Sequence, residues 1–125
     1  MSVMSLTREN LETTIASSGI VIIDFWAAWC GPCRAFKPTF EAASDKHADV
    51  TFASCNTEEQ PELAAMFQIR SIPTLVVFRD GIPIFGQPGS LPAAALDELL
   101  QKVRELDMEA VREKVAAHEA AAASA

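Results

Sequence analysis

Two cysteines stand two residues apart in Cys30-Gly31-Pro32-Cys33, after an apolar run and before a stretch of helical spacing. A thiol at a helix N-terminus faces unpaired backbone N–H groups and the positive end of the macrodipole. Both favour the thiolate, so Cys30 is expected to ionise below the usual thiol range. Cys33 lies one turn further along the same helix face, placed to attack a mixed disulfide formed at Cys30. Pro32 lacks an N–H, which is harmless in a first helical turn, and its fixed φ stiffens the loop. Gly31 leaves room for an approaching sulfur. A Cys-x-x-Cys pair also occurs in zinc and haem sites. Haem attachment needs His after the second Cys, and Arg34 stands there. Zinc needs a second ligand pair, and Cys55, His47 and His118 do not form one. The pair therefore reads as a redox-active dithiol, with no metal expected.

Asp24 interrupts the apolar run just upstream. A carboxylate there is expected to be buried, which disfavours its charged form, raises its pKa and suits it to proton transfer. The alternative is a solvated or structurally bonded carboxylate. Cys55 reads as a small buried hydrophobe, with a regulatory thiol as the other possibility. Labelling the oxidised native protein with a thiol reagent separates the two. His47 and His118 are isolated in sequence and are expected to be solvated. Lys102, Arg104, Arg112 and Lys114 alternate with glutamates as on an exposed helix face.

The surrounding elements must position these groups. Thr7 is placed to cap a first helix bearing Leu11 and Ile15. Ile20–Trp26 is nearly continuous and β-branched, as in a strand buried on both faces. A helix from Cys30 to about His47 carries Phe36, Phe40 and Ala43 inward and contains Pro38, which should kink it. Val50–Cys55 is a second strand, and two strands joined by a helix imply a right-handed βαβ unit. A short helix spans Glu59–Phe67. Thr74–Phe78 is a third strand. Arg79-Asp80-Gly81 is a turn, and Ile82–Phe85, with Pro83, an edge strand. A helix beginning near Pro92 packs Leu96, Leu99, Leu100 and Val103 inward. The order β-α-β-α-β-β-α predicts an α/β fold with helices on both faces of the sheet. Residues 1–105 form the domain. Residues 106–125 read as an appended helix over 107–118 and a frayed alanine tail.

The whole chain has 125 residues, half of them hydrophobic, and a formal charge of −7. That length suits one domain, and that composition argues against disorder. Excess acid argues against nucleic-acid binding, which needs clustered Lys and Arg. Residues 106–125 carry four acids and two bases, leaving −5 on the main body. Three cysteines are too few for a disulfide-dense secreted scaffold. The longest apolar stretch, Ile20–Trp29, is ten residues long and contains Asp24, too short to span a membrane. The first ten residues show no targeting pattern, so the expected location is the cytoplasm.

The run Asp24-Phe25-Trp26-Ala27-Ala28-Trp29-Cys30-Gly31-Pro32-Cys33-Arg34 resembles the active-site segment of the thioredoxin family. Ile72-Pro73-Thr74 resembles that family's cis-proline loop. Pro38 matches its helix kink, and Gly81, Gly86 and Gly89 fall at its glycine positions. The resemblance covers about residues 5–105. It implies a thioredoxin fold with a mixed central sheet. It implies a disulfide reductase holding no cofactor, recharged by thioredoxin reductase with electrons from NADPH. Disulfide-containing proteins are the implied substrates, and the chain is expected to be a monomer. The resemblance makes Cys30 and Cys33 the redox pair, with Asp24 as proton acceptor for Cys33. It makes Pro73 cis, where sequence physics alone favours trans. Ile72 then offers backbone atoms to the incoming peptide, and Trp29, Gly31, Pro32, Ile72, Pro73 and Gly89 form an apolar docking rim. Three departures stand out. Ser71 and Pro88 differ from common family residues beside the rim. Ser54 takes the place of a lysine that many members carry near the Asp, which should raise the Asp pKa further. The reading of a different class is a redox-dependent binding subunit or chaperone that uses the same surface without turnover.

Overall fold

Six consecutive buried residues, Ile20 to Phe25, mark the strand Ile20–Trp26 as the centre of the sheet. In the computed structural model, which describes residues 2–124, the elements follow in the order β1 (Val3–Ser5), α1 (Leu11–Ala16), β2 (Ile20–Trp26), α2 (Gly31–Lys46), β3 (Val50–Asn56), α3 (Pro61–Met66), β4 (Thr74–Arg79), β5 (Ile82–Pro88), α4 (Ala93–Arg104) and α5 (Met108–Ser124). The strand order is β1-β3-β2-β4-β5. β1 and β2 run parallel to β3, while β4 runs antiparallel to both β2 and β5. The sheet is therefore mixed, and β5, with Pro83, is an edge strand as expected.

Alternation along the strands splits the core in two. Ile20, Ile22, Val50, Phe52, Leu75 and Val77 face Phe36 and Phe40 of α2 and Leu96 and Leu100 of α4. Val21, Ile23, Phe25, Ala53, Cys55 and Phe78 face the side covered by Leu11 of α1 and Leu63 of α3. Helices on both faces follow directly from strands that are apolar at odd and even positions alike. At the β4–β5 turn Asp80 and Gly81 both have positive φ, 52° and 80°, the geometry that a two-residue hairpin turn requires.

Four expectations need correction. β1 is an additional strand that no pattern in the sequence predicts. Three residues are too few to show a period, and β1 exists because it pairs with β3. Thr7 does not cap α1. Its N–H donates to Asn10 Oδ1 at 2.8 Å, and the helix begins later, at Leu11. The alanine tail is not frayed: α5 continues to Ser124, consistent with alanine's helix propensity. Ala125 lies outside the described residues.

The fourth correction concerns His47, which is neither isolated nor solvated. It is buried at the end of α2, with Nε2 2.7 Å from Asp97 Oδ1 and Nδ1 2.8 Å from an Arg104 Nη. Arginine can only donate, so Nδ1 accepts and Nε2–H donates to Asp97. Lys46 also donates to Asp97, and Arg104 grips Asp49 through two bonds of 2.8 and 2.9 Å. The Lys46 and His47 bonds hold the Asp97 carboxyl below its usual range, and Arg104 does the same for Asp49. The cluster ties the end of α2 to α4. Its bonded partners are 50 or more residues apart in sequence, which hides it from any local pattern.

Arg79 fastens the C-terminal end of α4 from the sheet side. One Nη donates to the carbonyls of Val103, Arg104 and Leu106 at 2.7, 3.1 and 3.0 Å. These include helix-end carbonyls that lack an intrahelical partner. Met108 is buried at the start of α5, and Leu106 packs against the α2–α4 core. Arg79→Met is expected to lower unfolding free energy by about 2 kcal/mol, the scale of a charged donor lost from buried acceptors. Urea denaturation measures that loss, and the disulfide chemistry of the remote Cys pair should be unaltered.

Candidate functional site

The end of β2 delivers the chain to the cysteines. The chain leaves the sheet after Trp26, Cys30 N–H donates to Ala27 O at 3.1 Å, and α2 starts at Gly31. Cys30 is the helix N-cap, with extended φ and ψ of −85° and 111°. Its Sγ accepts the Cys33 N–H at 3.2 Å, so the sulfur does the capping work usually done by a hydroxyl or carboxylate oxygen. This is the geometry that stabilises a thiolate: one directed N–H and the positive helix end. Arg34 reaches back to Ala28 O at 2.8 Å and braces the loop. The two cysteines form a disulfide with a Cα–Cα separation of 5.2 Å.

The pair is almost closed to solvent, Cys30 at 4% and Cys33 at 3% exposure, and the two cysteines have different neighbours. Cys30 Sγ lies 3.7 Å from the carbonyl oxygen of Ile72, 42 residues away in sequence. That approach is made by the loop before β4, where the Ile72–Pro73 peptide is cis. Cys33 instead lines a partly open pocket of about 540 Å³ that it shares with Asp24 and with the exposed Arg34 and Lys37.

Asp24 is 4% exposed, and its Oδ1 has no hydrogen-bond partner among the described residues. Burial pushes its pKa up from the ordinary carboxylate range to about 7. A carboxyl that titrates near neutrality beside a thiol can accept a proton and return it within one cycle. Ser54 is its register partner on β3, so no cation stands opposite Asp24 in the sheet.

Around Cys30 the surface is apolar and open. Trp29 is 69% exposed, one of two exposed large hydrophobic side chains among the described residues. Gly31, Pro32 and Gly89 are exposed, Ile72 is half-buried and Pro73 is buried. Gly89, at φ 100°, donates its N–H to Pro73 O at 2.7 Å and so borders the proline loop. Pro73 contributes the shape of the loop while Ile72 presents its carbonyl. Trp29 and Ile72 also line a groove with Thr57, Ile69, Arg70 and Ser71. Thr57 carries no local signal because it reaches the groove only in three dimensions, and Ile69 and Arg70, next to the loop in sequence, form no motif of their own.

Cys55 is wholly buried on β3, and burial pushes its thiol up to about 11. It is expected to resist labelling in the oxidised native protein and to account for the single thiol that reacts after denaturation. Rapid native labelling would instead mark a reactive thiol. Among the described residues no group of three or more His, Cys, Asp or Glu is placed to hold a metal ion. No helix among them is long and apolar enough to cross a membrane.

A disulfide-forming Cys pair at a strand-to-helix junction, facing a cis-proline loop across a mixed sheet, defines a thiol–disulfide oxidoreductase. Comparison with known proteins agrees. The thioredoxin family model matches residues 2–102, and this chain belongs to the thioredoxin family. A putative thioredoxin 2 of Streptomyces coelicolor is 47% identical over 121 residues, which is 97% of this chain and 90% of that protein. The thioredoxin of Alicyclobacillus acidocaldarius is 44% identical over 101 residues, covering 80% of this chain and 96% of that one. Among solved structures, a mutant thioredoxin from Halobacterium salinarum superposes with a TM-score of 0.78 at 29% identity, over 84% of this chain and 93% of that one. The chain is a protein-disulfide reductase whose working groups are Cys30 and Cys33.

Proposed function

We propose that Cys30 attacks the substrate disulfide and that Cys33, deprotonated by Asp24, resolves the mixed disulfide. The observation that carries this division is the different surroundings of the two cysteines. Cys30 lies beside the Ile72 carbonyl, near the exposed Trp29, whereas Cys33 faces the Asp24 cavity. A substrate segment lying across Trp29, Gly31, Pro32 and Gly89 would meet Cys30 first, with the Ile72 backbone as its anchor and Pro73 shaping the loop. Cys30 thiolate displaces one substrate sulfur, which leaves as a thiolate. Cys33 then gives its proton to the Asp24 carboxylate and attacks Cys30 Sγ. The Cys30–Cys33 bond forms as the second substrate sulfur departs. The substrate is reduced by two electrons and the protein oxidised by two.

Regeneration needs an external dithiol, and family membership supports thioredoxin reductase as the partner and NADPH as the electron source, with no cofactor held by this chain. The composition and cysteine usage favour the cytoplasm, where such a pair stays reduced. The domain comprises residues 1–105, with 106–125 as an appendage. Insulin reduction coupled to thioredoxin reductase tests the cycle: NADPH oxidation should rise in proportion to this protein. If the reductase never oxidises NADPH in its presence, while dithiothreitol still sustains insulin reduction, the electron supply lies elsewhere.

A further inference from the structure

On the α2 side of the sheet, Val3, Phe52 and Ile22 stand in register across β1, β3 and β2 and form an apolar row. Two residues further along the same strands, on the same face, stand Ser5, Ser54 and Asp24, again in register. Every apolar member of the first row is replaced by an oxygen-bearing one in the second. The new row grades inward: Ser5 is exposed on the edge strand, Ser54 half-buried and Asp24 buried. All three line the 540 Å³ cavity that also contains Cys33.

Neighbouring strands lie roughly 4.8 Å apart, a spacing at which one water can bridge in-register oxygens that do not bond each other directly. The unpartnered Oδ1 of Asp24 supplies the acceptor that such a water needs. We propose that Ser54, backed by Ser5, is a positioning residue for the resolving step: it holds the water through which Asp24 passes its proton to solvent at the β1 edge. This rests on Asp24 being the proton acceptor for Cys33.

The proton balance is simple. Cys33 S–H gives its proton to the Asp24 carboxylate as the Cys30–Cys33 bond forms and the substrate thiolate leaves. The neutral carboxyl then releases that proton to the water on Ser54, and the bulk receives it past Ser5. A hydroxyl that orients this water towards the carboxylate favours the charged form and opposes the effect of burial. The other titratable or charged groups facing the cavity are Cys33, Arg34, Lys37 and Glu41 of α2. β1 and β3 bring hydroxyls, and β4 brings Leu75 opposite Asp24.

The test is release of a chromophoric thiol from a mixed disulfide preformed at Cys30, followed by stopped flow across the neutral pH range. In the native sequence the rate should rise with the deprotonation of Asp24. Ser54→Val keeps strand shape and removes the hydroxyl. It should move the midpoint upward and slow release about tenfold below the midpoint, the scale of one hydrogen bond to a charged group. Ser54→Thr retains a hydroxyl and should restore the native midpoint. A Ser54→Val midpoint equal to or below the native one overturns the role of Ser54, as does a failure of Ser54→Thr to restore it. Asp24→Asn is the separate control: it should abolish the pH step. If the step persists in Asp24→Asn, the proton-acceptor reading fails, and the Ser54 proposal falls with it.

Discussion

Cys30→Ser is expected to lower insulin reduction by at least on the order of 10³-fold, to the uncatalysed rate, because a hydroxyl at the N-cap cannot perform the exchange. The helix itself should survive, since serine is a good N-cap residue and its oxygen can accept the same Cys33 N–H. The loss would therefore be chemical, with little change in the unfolding transition. Cys33→Ser should behave differently. Cys30 still has its Sγ near the helix end and can still attack, but no thiol stands behind it to close the Cys30–Cys33 bond. Substrate should accumulate as a mixed disulfide, detectable by non-reducing electrophoresis or intact mass. If Cys30→Ser traps substrate and Cys33→Ser does not, the two roles are reversed.

The second large effect concerns Asp24 and stability. Its carboxyl titrates near its ordinary value when unfolded and at about 7 in the folded protein, because burial disfavours the charge. The folded state therefore holds the proton more tightly than the unfolded state. Stability is full below the unfolded pKa, falls as pH rises from about 4 towards 7, and levels off above that. A shift from 3.8 to about 7 corresponds to roughly 4 kcal/mol lost across this window. Asp24→Asn carries no charge at any pH, so it should be more stable than the native sequence by up to about 4 kcal/mol at pH 8, and the difference should vanish near pH 4. Urea denaturation of the oxidised protein at both pH values is the measurement, because the bonded cysteines do not titrate in that state. A pH-independent difference would mean that Asp24 is charged or paired at neutral pH. The same substitution should slow mixed-disulfide release roughly 10²-fold, the scale of lost general-base assistance. A group that costs stability in its charged form while aiding turnover is one whose place in the strand is explained by function.

Much of this architecture was legible in residue order. Ile20–Trp26 announced a doubly buried strand, because it is apolar on both faces except at Asp24, and the same exception announced the carboxyl. The Cys30-x-x-Cys33 spacing, set between that strand and the α2 stripe of Phe36, Phe40 and Ala43, gave the chemistry and its place. These are local properties: hydrophobic period, helix-start chemistry and turn residues act over a few positions. The cis form of Pro73 was legible only through family resemblance, since local energetics favour trans.

The sequence by itself thus determined the dithiol, its helix-capping position, the buried carboxylate and the βαβ frame, because each follows from short-range stereochemistry and burial. Tertiary structure alone decided which groups they meet. It set the Ile72 carbonyl beside Cys30, gave Cys33 the Asp24 cavity, and aligned Ser5, Ser54 and Asp24 in one row. It also paired β1 with β3 and joined His47 to Asp97 and Arg104. Strand register and helix packing fix these contacts across tens of residues, and no local period in the chain encodes which distant residue will stand opposite.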